Sequence, residues 1–120
     1  MTTLDLGIFN NVIFICLFSS GIIIWLIGIY VLRKPPESIN KLYGFRTPNA
    51  MKSQEAWDYA QVHGTKRMVR AAQLMILLSF ISLYFNFSEM VGSLIAIAVL
   101  LIVLITPLVI TEKELKEKFG

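Results

Sequence analysis

The sequence predicts an all-α integral membrane protein with three transmembrane helices, at about residues 6–32, 69–88 and 90–111. A structured cytoplasmic connection at 33–68 contains an amphipathic interfacial helix that leads into the second span, and a short tail occupies 112–120. Three observations predict this single membrane domain. Apolar residues make up 56% of the 120 and charged residues only 16%, with a mean hydropathy of +0.68. Soluble domains carry about 25% charged residues, and a soluble fold this small lacks the interior to bury so many apolar side chains. Three long stretches hold no charge at all, and most of the basic residues fall in one connection. Secreted disulfide scaffolds, disordered tails and ordinary soluble enzymes are excluded.

The first uncharged run, Leu6 to Leu32, has 27 residues. As a helix it is roughly 40 Å long, against about 30 Å for the hydrocarbon core. Ala71 to Ser88 gives 18 residues and Met90 to Thr111 gives 22. Backbone groups in lipid must satisfy themselves, so three short barrel strands are no alternative. The first run has Asp5 and no Lys or Arg before it, and it ends in Arg33-Lys34. It reads as a retained anchor, not a cleaved signal. Between the second and third runs lies only Asn86 to Met90, a tight hairpin that makes those helices antiparallel neighbours. The single cysteine, Cys16, permits no intrachain disulfide and no cysteine metal site.

Charge sets the orientation. The 38-residue connection, Arg33 to Arg70, holds eight basic and three acidic residues, a net +5. The N-terminus offers Asp5, the hairpin Glu89, and the tail balances three lysines with three glutamates. Basic loops stay in the cytoplasm. The N-terminus is therefore expected outside, the connection inside, the hairpin outside and the tail inside. No Asp, Glu, Lys, Arg or His lies within the three uncharged runs, which argues against a proton relay at mid-membrane. The bilayer is the expected partner, with no cofactor, no metal, no catalytic residue and no direct nucleic-acid contact.

Weaker polar features remain. Ser79, Ser82 and Asn86 share one face of the second helix. Asn10, Asn11, Asn86 and Glu89 gather toward the outer surface. They serve either as hydrogen bonds between helices or as a contact site for a ligand or peptide. Gly21 and Gly28, with Trp25 on the same stripe, and the pair Gly92 and Ala96 permit close helix approach. That approach is either within the three-helix unit or across a homodimer seam. Pro107 removes one helical hydrogen bond near the inner end of the third helix.

The connection is the richest segment. Pro35-Pro36 ends the first helix. Gly44 suits a positive backbone angle, and Tyr43 and Phe45 flank it as rings for the headgroup level. Arg46 sits between that turn and Thr47-Pro48. Ser53 can cap a helix whose positive end suits Glu55 and Asp58; alternatively Thr47 caps a short turn with Pro48 first. Trp57, Ala60, Gly64, Met68, Ala71 and Met75 recur every three or four residues, so one stripe runs from the connection into the second span. Lys66, Arg67 and Arg70 are expected among anionic headgroups. His63 reads as a solvated residue, with no second ligand at metal spacing. An alternative reading makes Arg46, Lys52 and Glu55, with His63, an acid–base site for a lipid or peptide substrate at the inner headgroup plane. A third makes the chain a subunit of a channel or transporter, with a path along Ser79, Ser82 and Asn86.

Asn40, Gly44, Arg46-Thr47-Pro48, Ser53, Glu55, Trp57, Gly64 and Lys66 together resemble the signature of SdpI-like membrane proteins and their YfhL-type relatives. The likeness is close over residues 38–90. It departs from the common pattern at Lys52 and at Ala60-Gln61. The resemblance implies a bacterial cell membrane, resistance to a membrane-active peptide toxin, and capture of a cytoplasmic repressor. The best-studied members of that family carry further N-terminal spans where three helices are expected here, which makes self-association as a homodimer an expectation.

Overall fold

The computed structural model describes residues 11–120. Asn10, and the start of the first expected span before it, lie outside those residues. Among the described residues three helices follow one another: α1 over Val12–Arg33, α2 over Gln54–Ser82 and α3 over Glu89–Phe119. Two of them, α1 and α3, are long and apolar enough to cross a membrane. The helices form a bundle 54 Å long and 25 by 20 Å across. At that length about 24 Å of it exceeds a hydrocarbon core of about 30 Å.

Each helix begins at a side-chain cap that accepts from a backbone N–H three residues on. Asn11 accepts from Phe14, Ser53 from Ala56 and Ser88 from Val91. The expected cap at Ser53 is therefore in place. A short turn also forms after Thr47, where the Met51 N–H donates to the Thr47 carbonyl at 3.1 Å, but the Thr47 hydroxyl does not cap it.

The expected stripe on α2 forms its buried face. Trp57, Ala60 and Met75 are fully buried, Gly64 and Ala71 are buried, and Met68 packs against them at partial exposure. Alpha-helix geometry brings those positions to one side. Two apolar clusters result. Ile13, Leu17, Met75 and Ala96 close the bundle toward the hairpin end. Phe45, Ala50, Ala56, Ala60 and Leu115 close it at the other end, where the connection packs between α2 and α3.

The glycine stripe is used inside the unit. A Cβ at Gly21 would meet the Ile76 side chain at 2.7 Å and the Ala72 carbonyl at 2.9 Å. Gly28 faces Val69 in the same way, so both glycines admit α2 against α1. Gly92 and Ala96 lie against α1 at Ile13.

Two boundaries differ from expectation. The second helix ends at Ser82, not Ser88, and residues 83–88 form an open hairpin longer than the expected five residues. Amide groups from Leu83 to Phe85 turn back on Phe80 to Ser82, which closes the helix early. The tail is not a separate segment, because α3 runs through Pro107 to Phe119. As expected, the helix that begins in the connection continues into the bundle, with α2 uninterrupted from Gln54 to Ser82.

Candidate functional site

The connection folds into a compact elbow on the N-terminal half of α2. Asn40 organises its first turn. Its Oδ1 accepts from the N–H groups of Leu42 and Tyr43 at 2.8 and 3.0 Å, and its Nδ2 donates to the Ser38 carbonyl at 3.0 Å. The Tyr43 hydroxyl donates to the Lys34 carbonyl, and its ring lies 6.1 Å from that of Tyr30 on α1. Gly44 follows with φ at +106°, a region that L side chains rarely adopt.

Two buried side chains of α2 hold the elbow. The Trp57 indole donates to the Pro36 carbonyl at 2.7 Å. Gln61, only 1% exposed, makes a reciprocal pair with the backbone of Phe45. Its Oε1 accepts from the Phe45 N–H at 2.7 Å, and its Nε2 donates to the Phe45 carbonyl at 2.8 Å. The Phe45 ring then lies on Gly64, where a Cβ would stand 2.9 Å from the ring carbons. A Cβ on Gly44 would meet Gln61 Oε1 at 2.5 Å. Glycine is needed at both places, once for the turn and once for the ring.

Arg46 emerges exposed from this frame and donates to the Lys41 carbonyl. Thr47 and Pro48 lead away from it, and the Thr47 hydroxyl is buried without a hydrogen-bond partner among the described residues. Asn49 then ties the elbow to α3. Its backbone N–H and Nδ2 both donate to the Glu112 carboxylate, at 3.1 and 2.9 Å. Lys52 and Glu55 are exposed and make no side-chain hydrogen bond among the described residues. No described cavity gathers Arg46, Lys52 and Glu55. Asn40, Tyr43, Gly44, Ser53 and Trp57 shape the elbow, whereas Arg46, Pro48, Lys52 and Glu55 are presented on its surface.

A second clasp joins α2 to the end of α3. Arg67 donates to Glu114 at 2.7 Å and to Thr111 at 3.0 Å, and the Tyr59 hydroxyl donates to the other Glu114 oxygen. Arg67 is thus turned toward α3, not out among headgroups as expected. Hydrogen bonds from Arg67 and Tyr59 hold the Glu114 carboxyl below its ordinary range. The same bond, with burial, raises the Tyr59 phenol. His63 is exposed and stacks on the Tyr59 ring at 4.2 Å.

At the opposite end of the bundle, Asn11, Asn86, Ser88 and Glu89 line one cavity of about 390 Å3 with Ile13, Phe85, Phe87 and Gly92. The residues expected to form an outer patch are therefore together, Asn10 excepted because it lies outside the described residues. Asn11 also crosses between helices, donating to the Ser82 carbonyl at 3.3 Å. Ser79 and Ser82 do not; each hydroxyl donates back to its own helix, at 2.5 and 2.6 Å. Such back-bonding satisfies a hydroxyl locally.

Sequence reasoning singled out neither Gln61 as a structural ligand nor Glu112 and Glu114. The signal for the glutamates was present. Glu112 with Lys116, and Glu114 with Lys118, are i,i+4 pairs that favour continuing the helix.

These features define an all-helical membrane protein with a folded elbow at one end and a polar cavity at the other. The family model described as the SdpI/YfhL protein family matches residues 37–111, the elbow, α2 and most of α3. The chain belongs to that family, whose character is that of a membrane immunity protein. Comparison with curated proteins and with solved structures gives no match.

Proposed function

We propose that this chain crosses the bacterial membrane three times and protects it against a membrane-active peptide toxin, which it meets at the outer cavity. The N-terminus and hairpin face outward, and the elbow and the end of α3 face the cytoplasm. The observation that carries this reading is the cavity lined by Asn11, Asn86, Ser88 and Glu89, in a member of the immunity family. Its depth in the membrane gives it a physical role. The uncharged part of α2, Ala71 to Ser82, has 12 residues, or about 18 Å of helix. That falls short of a bilayer core of about 30 Å. Residues 83–88 must then carry non-helical backbone close to the hydrocarbon, which is tolerated only where it lines a hydrated cavity. Water and polar side chains there offer an amphipathic peptide hydrogen-bonding groups that lipid lacks.

Killing curves of toxin-sensitive cells with and without the chain test this. Expression is expected to raise the toxin concentration for half-killing, and Asn86→Leu with Glu89→Gln to abolish the gain at equal protein level. Coincident curves for several related peptide toxins would refute it.

Capture of a cytoplasmic repressor is a second proposed role. It is favoured by the rigid presentation of Lys41, Arg46 and Lys52, all exposed, on one ordered elbow. Self-association as a homodimer stays compatible with the outward-facing sides of α1 and α3.

A further inference from the structure

Beside the elbow runs a lateral groove of about 270 Å3 between α1, α2 and α3. Its walls are apolar, from Ile24, Ile27 and Val31 on α1 to Met68 and Leu108 on α2 and α3. Its one charged lining residue is Arg46. We propose that this groove binds one anionic glycerophospholipid of the inner leaflet, with an acyl chain between the helices and the phosphate on the Arg46 guanidinium. The inference goes beyond toxin protection and shares with it only the inward placement of the elbow.

Three observations carry it. The first is shape. Gly28 and Gly44 both line the groove, and Gly44, at φ +106°, lets the elbow turn beside it. From Ile24 to Val31 the groove follows eight residues of α1, about 10 Å along the helix, within one leaflet's half-thickness of about 15 Å. The second is charge. Among the described residues the only ion pair is Arg67 with Glu114, so Arg46 faces no carboxylate. One of its nitrogens donates to the Lys41 carbonyl, and its other guanidinium nitrogens have no hydrogen-bond partner among the described residues. That planar fork suits the bidentate geometry of a phosphate. The third is depth. Tyr30 and Tyr43 are both exposed with ring centroids 6.1 Å apart, and the Tyr43 hydroxyl donates to the Lys34 carbonyl at the end of α1, where Arg33 and Lys34 lie. Aromatic and basic residues collect at the headgroup level. The chain thus places an apolar slot above an arginine at the level where a phosphate would lie.

Native mass spectrometry of the full chain, released from mixed micelles of phosphatidylglycerol and phosphatidylcholine, tests this. The wild type is expected to retain one phosphatidylglycerol, at least about tenfold over phosphatidylcholine at equal mole fraction. Arg46→Gln is expected to bring the ratio near one. Arg70→Gln removes an equal charge at the same end of the bundle, outside this groove, and is expected to keep the preference. Leu108→Phe fills the groove floor and is expected to lower retention of both lipids. Equal retention of the two lipids by the wild type would overturn the proposal. So would equal losses in Arg46→Gln and Arg70→Gln, unchanged retention in a folded Leu108→Phe, or a lipid-free dimer. Killing curves run on the same variants read protection separately, so failure of lipid binding and failure of immunity are told apart.

Discussion

Gln61→Leu tests how the elbow is held. The side chain is 1% exposed and Phe45 is 7% exposed. The substitution keeps the volume roughly and removes both hydrogen bonds, at 2.7 and 2.8 Å, to the Phe45 backbone. A buried donor and a buried acceptor are then left without partners. Each costs about 1–3 kcal/mol, so the closed elbow loses at least about 2 kcal/mol, or roughly 30-fold in its opening equilibrium. The helices do not depend on that contact, and the effect is expected to stay local. Hydrogen exchange in lipid nanodiscs reads it directly. The Phe45 amide should exchange roughly 30-fold faster, while amides around Ala72 and Met75 keep their protection. Unchanged exchange at Phe45 would show that the Gln61 clasp contributes nothing, and the account of the elbow would fail with it.

Further outcomes follow from the same contacts. Gly44→Ala forces a Cβ into a backbone at φ +106° and against Gln61. It should loosen the elbow by about 1–3 kcal/mol, read as faster proteolysis within residues 38–52, and be less than additive with Gln61→Leu. Arg46→Ala should abolish protection from toxin while membrane insertion and protein level stay normal; intact tolerance would make the arginine incidental. Gly21→Val, with its Cβ 2.9 Å from the Ala72 carbonyl, should separate α1 from α2 and cost about 2 kcal/mol or more, measured as thermal stability in detergent. The Glu114 carboxyl is held below its ordinary 4.5 by Arg67 and Tyr59. Its contribution is therefore complete above pH 4.5 and is lost as pH falls through the lowered value. Acid titration of the α2–α3 clasp should show that loss, and Glu114→Gln should remove it.

The helices and the joining of Asn11, Asn86 and Glu89 in one cavity were legible because charge-free runs and turn residues are local signals. The stripe from Trp57 to Met75 was legible for the same reason, since a 3.6-residue period survives whatever it packs against. What escaped was tertiary. Gln61 looks like an ordinary polar helix residue until Phe45 folds over it. Arg67 reads as a headgroup contact because its partners lie 44 and 47 residues away on α3. The early end of α2 escaped because residues 83–88 are mostly apolar and uncharged, and hydropathy does not separate a helical turn from an open one. Arg46 is exposed on the elbow and bonds the Lys41 carbonyl, and the apolar groove it lines is built from three helices and has no sequence signature.

The central claim is that the elbow lies inside the cell and the hairpin outside, with three crossings between the N-terminus and the end of α3. Cysteine labelling in intact cells tests it most directly, on a Cys16→Ser background with Lys52→Cys or Asn86→Cys. A membrane-impermeant maleimide should modify position 86 in intact cells and position 52 only after lysis. Labelling of position 52 from outside, or of neither position until lysis, would contradict the account.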